Sequence, residues 1–172
     1  MRKVSSLFLS LFLIVGLIHA TISQAQFFIE ENPLLHKQAP NFKLPTLSGQ
    51  QLSLSDFRGG QSAIVFFWAT WCPHCRAQLK GLNAMKADIE AKGIKVLLVD
   101  LGEKAQQVSS YTQKNNITYE VFLDEDSKVA DEYNLIGVPT FFFIGADGVI
   151  KAVDFAMPSN YVEILATGNK AS

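Results

Sequence analysis

Six consecutive apolar residues, Ala63-Ile64-Val65-Phe66-Phe67-Trp68, lead toward the chain's two cysteines, Cys72 and Cys75. An unbroken apolar run of this length reads as a strand buried on both faces. Such a strand needs sheet neighbours at its sides and helices above and below. The flanking pattern supplies both. Leu79, Leu82, Met85 and Ile89 recur at helical spacing, and Gly93 stops them. Ile94 to Val99 reads as a second buried strand and Ala105 to Asn115 as a polar helix with Val108 and Tyr111 inward. Tyr119 to Leu123 is a short strand, and Lys128 to Tyr133 a short helix. Thr140 to Ile144 is a third buried strand, turning at Ala146-Asp147-Gly148 into Val149 to Phe155. A helix from Ser159 to Ala166 closes the chain, with Ser159 as its N-cap. Asn41 to Leu54 alternates weakly around Pro45 and Ser48-Gly49, the pattern of a hairpin. The expected fold is α/β: a central mixed sheet flanked by helices on both faces, with an N-terminal β-hairpin extension.

Composition narrows the function. The 172 residues are 48% hydrophobic and 18% charged, with a net charge of −1. That excludes a disordered tail, and it offers no basic footprint for nucleic acid. Two cysteines cannot make a disulfide-framework mini-protein.

The first 25 residues read as a leader. Arg2 and Lys3 precede an apolar stretch from Leu7 to Ile18, and Ser23-Gln24-Ala25 places small residues before a cleavage point at Gln26. The apolar stretch gives roughly 18 Å of helix, short of the roughly 30 Å that spans a bilayer. Cleavage is the expectation, with an uncleaved membrane anchor through residues 4–22 as the alternative. No cysteine follows the leader, which excludes a bacterial lipoprotein. Residues 26–38 then form a lead-in, residues 39–167 the folded domain and residues 168–172 a tail. Either fate of the leader puts the domain outside the cytoplasm, in the periplasm or at its membrane face.

Three chemistries compete for Trp71-Cys72-Pro73-His74-Cys75. A purely structural disulfide is weak here, since so short a loop removes only about 2 kcal/mol of unfolded-state entropy. A metal site on Cys72, His74 and Cys75 has its ligands on one helical turn, which closes a tetrahedral shell poorly, although copper(I) tolerates fewer ligands. Redox chemistry explains the position. A thiol at a helix N-terminus meets unpaired N–H groups and the positive end of the helix dipole, and both favour thiolate. Cys72, the first and more exposed cysteine, is then the nucleophile. Cys75, one turn on and deeper, resolves the mixed disulfide. His74 adds positive charge when protonated, and with Pro73 it tunes the couple.

With these residues, the chain resembles the TlpA/ResA-like family of extracytoplasmic thiol–disulfide oxidoreductases, thioredoxin-fold members of the AhpC/TSA redoxin superfamily. The resemblance runs from about Gln38 to about Leu165. It is carried by Ala39-Pro40-Asn41-Phe42, Leu52 to Gly59, Phe67 to Cys75, Gly137-Val138-Pro139-Thr140 and Asp147-Gly148. It implies a thioredoxin-like fold and a cis Val138-Pro139 bond packed beside Cys72. It also implies that Val138 and Pro139, with Trp71, bind substrate.

Two departures concern proton transfer. Thioredoxins carry a buried aspartate where this chain has Phe66, and ResA-type members carry a glutamate and a proline where it has Gln78 and Lys80. Either water serves as the base, or a residue from elsewhere near the pocket does, with Glu103, at the end of the Ile94 strand, as the candidate. The Pro73-His74 dipeptide is a third departure, since it resembles that of strongly oxidising disulfide donors. Asp124-Glu125-Asp126 lacks the spacing of a calcium loop and reads as a solvated turn before a helix. A peroxidase reading fits less well, because Cys72 has a close resolving partner. His36 precedes the domain without an evident role.

The expected activity is therefore thiol–disulfide exchange without a cofactor or resident metal. A reductase of protein disulfides is favoured, serving cytochrome c maturation or a similar assembly step. A membrane thiol carrier would supply electrons to a protein expected to act as a monomer. The alternatives are a disulfide-donating oxidant and a copper chaperone holding metal through Cys72, His74 and Cys75.

Overall fold

The structure, a computed structural model, describes residues 31–167. The expected leader and the tail at 168–172 lie outside the described residues. Two short strands, β1 (Lys43–Pro45) and β2 (Gln51–Ser53), pair antiparallel as the N-terminal hairpin. Helix α1 (Leu54–Arg58) follows, then β3 (Ala63–Trp68), α2 (Pro73–Ala91), β4 (Lys95–Leu101) and α3 (Ala105–Lys114). The chain continues through β5 (Glu120–Asp124), α4 (Lys128–Glu132), β6 (Thr140–Ile144), β7 (Ile150–Asp154) and α5 (Tyr161–Thr167). The main sheet has the order β5-β4-β3-β6-β7. Strands β3, β4 and β5 run parallel to one another, whereas β6 is antiparallel to both β3 and β7. The sheet is mixed, and β3 lies at its centre.

The apolar run of β3 is fully buried because its alternate residues feed two cores. Ile64, Phe66 and Trp68 pack with Leu79, Leu82 and Ile89 of α2, with Val108 of α3 and with Ile164 of α5. Val65 and Phe67 face the other way, toward Leu54 of α1, Val129 of α4 and the rings of Phe42, Phe142 and Tyr133. Tyr133 donates its hydroxyl to Pro40 O at 2.7 Å, tying that second layer to the hairpin's lead-in. The lead-in itself is held by backbone bonds: His36 N–H donates to Ile150 O, and Ile150 N–H to Lys37 O, both at 2.9 Å.

Several local expectations differ from the structure. Helix α1 escapes the hairpin pattern because a five-residue helix shows no period. Its signal is a cap instead: Ser53 Oγ accepts from Asp56 N at 3.1 Å and bonds Asp56 Oδ2, and Gly59 ends the helix at φ 55°. Strand β4 runs on past Val99 to Leu101, so Asp100 is a strand residue. Ser159 is not the N-cap of α5, because Asn160 O accepts the first helical bond, from Ile164 N. Asp124 is not solvated. It is fully buried and its carboxylate takes the N–H groups of Val129 and Ala130 at the start of α4, while Glu125 and Asp126 stay exposed.

Candidate active site

Cys72 is the N-cap of α2 and Pro73 its first residue, where a missing N–H costs nothing. Cys72 Sγ accepts from Cys75 N at 3.1 Å, so the sulfur sits on an otherwise unpaired donor of the helix N-terminus. The two cysteines are joined as a disulfide with Cα atoms 5.2 Å apart. Cys75 is fully buried. Cys72 is less exposed than its nucleophilic role led us to expect, at 4%, with Val138 O of the loop before β6 lying against its sulfur. Exposure at the site falls instead on Trp71, at 63%, and on Pro73 and His74.

The loop before β6 supplies the other wall. The Val138-Pro139 bond is cis. Val138 O lies 3.7 Å from Cys72 Sγ, and Thr140 Oγ1 donates to Gly137 O at 2.7 Å, holding the loop against its strand. Cys72, Cys75, Pro73, His74, Trp71, Val138 and Pro139 thus come together at one end of β3. Beside them a groove of about 490 Å³ is lined by His74, Ala77 and Gln78 of α2, residues Ile136 to Pro139, and Phe155. Ile136 and Phe155 are large apolar side chains left largely in solvent. Gln78 serves a structural bond here: its Oε1 accepts from Met157 N at 3.1 Å and straps the segment after β7 to α2.

The carboxylates lie elsewhere. Phe66 stacks on Phe141 with ring centroids 4.1 Å apart, so that position is filled by an aromatic pair. Glu103 is buried and accepts from Thr70 N, from Thr70 Oγ1 at 2.6 Å, and from Gln107 Nε2. The candidate acid therefore grips the loop that carries Cys72. A second acid, Asp100, is a residue the sequence reading passed over. It is fully buried beside Glu103, and neither carboxylate oxygen has a partner in well-formed hydrogen-bond geometry. Burial, with the neighbouring Glu103 charge adding to it, pushes its pKa up to about 8. In the sequence it stands just past the apolar run that ends at Val99, where a charge reads as the start of a loop. Among the described residues, no three His, Cys, Asp or Glu side chains gather as a metal-binding group.

Comparison with known proteins agrees with this geometry. The AhpC/TSA family matches residues 35–153. The chain belongs to that family. Among its relatives is the thiol–disulfide oxidoreductase ResA of Bacillus subtilis, 30% identical over 166 residues that cover 94% of this chain and 92% of the relative. ResA of Bacillus thuringiensis is 29% identical over 152 residues, covering 87% of each chain. A crystal structure described as a putative thiol:disulfide interchange protein DsbE of Chlorobium tepidum superposes with a TM-score of 0.67 at 27% identity, covering 76% of this chain and 94% of that one. StoA of Bacillus subtilis superposes with a TM-score of 0.62 at 26% identity, covering 74% and 97%. The fold is thioredoxin-like and the protein is a thiol–disulfide oxidoreductase.

Proposed function

We propose that this oxidoreductase works outside the cytoplasm, in the periplasm or anchored at its membrane face, as a reductase of protein disulfides. The observation that carries the reading is the Cys72 sulfur, held on the Cys75 amide at the N-terminus of α2 and open toward Val138 O. In the reduced protein this environment favours a Cys72 thiolate. The thiolate attacks one sulfur of a substrate disulfide, and the other sulfur leaves as a thiolate. Cys75 then loses its proton and attacks Cys72, and the substrate's second sulfur leaves. Two electrons pass to the substrate and the Cys72–Cys75 disulfide forms.

The surrounding residues fit this cycle. Val138 and Pro139 dock an extended substrate segment beside Cys72, with Trp71 covering it. Pro73 and His74 tune the potential. The groove between α2 and Phe155 accepts an apolar side chain that flanks the substrate cysteine. Electrons return from a membrane thiol carrier, since extracytoplasmic spaces hold little reductant of their own. Cytochrome c maturation, where haem attachment needs reduced cysteines, is the assembly step that suits such a reductase.

Trapping tests the assignment of roles. Cys75→Ser should accumulate a mixed disulfide with substrate through Cys72, and Cys72→Ser should accumulate none. A Cys75→Ser protein turning over substrate at the wild-type rate would remove Cys75 from the mechanism. One feature favours a second reading, a disulfide-donating oxidant: the exposed Pro73-His74 dipeptide, whose imidazole can stabilise the thiolate and so make the disulfide more oxidising.

A further inference from the structure

We propose that Asp100 and Glu103 form a buried acid pair holding one proton beneath the active-site loop, and that this proton couples to the redox state of Cys72 and Cys75. The proposal rests on the exchange chemistry above and assigns it a group that neither Phe66 nor Gln78 can supply, since neither titrates.

Position comes first. Asp100 is the register partner of Trp68 across the parallel β3–β4 pair. Residues two apart share a sheet face, so Asp100 shares the face of Leu98, which packs in the same core as Trp68, Cys72 and Cys75. Trp68 Nε1 is also buried without a partner. Three polar atoms are thus unsatisfied in one layer, at the end of β3 from which the loop of Ala69 to Trp71 leaves. A carboxylate ion buried beside the Glu103 charge is disfavoured in such a site and takes a proton instead. Glu103 differs, because three donors already hold its oxygens. Asp100 is therefore the member of the pair that holds the proton, and Glu103 accepts the donors that clamp Thr70.

Coupling follows from charge. Reduction by a dithiol adds two electrons to the Cys72–Cys75 bond. Cys75 takes one proton, Cys72 is left as thiolate, and the reductant becomes a disulfide. The new negative charge lies at the end of the clamped loop and strengthens the hold of the proton on Asp100. Asp100 then titrates at higher pH in the reduced protein than in the oxidised one. Between the two midpoints, reduction takes up one further proton. The other ionisable groups around this layer are Tyr111 of α3, whose ring lies 5.6 Å from Trp68, and His74 and Arg76 of α2, both exposed. Lys104, ahead of α3, is paired with Glu125, and Asp124 of β5 lies on the opposite sheet face with α4.

The test follows aspartate carboxyl resonances of the full chain through a pH titration, oxidised and then reduced with dithiothreitol. One resonance should titrate near pH 8 in the oxidised protein, move upward on reduction, and be missing in Asp100→Asn. Glu103→Gln should move it downward. The equilibrium constant against dithiothreitol should lose an inflection above neutral pH in Asp100→Asn. An Asp100 resonance that titrates with the ordinary aspartates, or at one midpoint in both redox states, overturns the proposal. A wild-type disulfide inert to dithiothreitol would contradict the proposed function instead, and the oxidised titration would still decide whether Asp100 holds a proton.

Discussion

At the scale of residues, Asp100 makes stability depend on pH with a definite sign. Its folded pKa lies above that of the unfolded chain, so the folded protein binds more protons between about pH 4 and about pH 8. Stability from this group is fully present below that window and is lost as pH rises through it. Thermal melts should show Asp100→Asn gaining on wild type as pH rises from 5 to about 8. A constant difference between the two would contradict the buried ionisation. Asp124 is raised in the same direction by its own burial, which is why the comparison needs the single variant. Phe66 contributes through packing alone: Phe66→Ala removes its stack on Phe141 and should cost about 3–5 kcal/mol in denaturant unfolding. The placement of Cys72, Pro73 and Cys75 at a helix N-terminus was legible from spacing, because a short motif encodes such a start. Asp100 was not. The apolar run beside it ends at Val99, and only the strand register brings it under Trp68.

Among the elements, the three buried strands were legible because each is an unbroken apolar run with its turn residues beside it. Helix α1 was hidden by its length, and its cap is what holds it. Ser53→Ala should destabilise by about 1 kcal/mol, measured by denaturant unfolding. The strap from Gln78 to Met157 shapes the groove beside the cysteines without touching either sulfur. Gln78→Ala should raise KM for a protein disulfide severalfold while leaving the reduction potential unchanged. A shifted potential with unchanged KM would place Gln78 in the electron chemistry rather than in docking. Sequence position alone could not separate these roles, because a glutamine opposite a backbone amide and a glutamine opposite a thiol look the same in a string.

For the whole molecule, segments ahead of β3 occupy backbone at both sheet edges. Leu47 N–H donates to Val121 O on β5, and the lead-in at His36 to Gln38 pairs beside Val149 and Ile150 at the β7 side. In the proposed mechanism, extended pairing with a substrate falls to Val138, beside the disulfide. Among the described residues no helix is long and apolar enough to cross a membrane. The overall fold was legible because its motifs occur in a fixed order along the chain. The direction of electron flow was not, since only about 1.4 kcal/mol shifts the couple by 30 mV. The helix N-terminus and His74 favour the thiolate, while the acid pair of Asp100 and Glu103 lies behind the loop that carries it. The equilibrium reduction potential of Cys72–Cys75, read in dithiothreitol or glutathione buffers at pH 7, weighs them together. A reductase should sit below about −230 mV. A value near about −120 mV would contradict that direction and make the protein a disulfide donor.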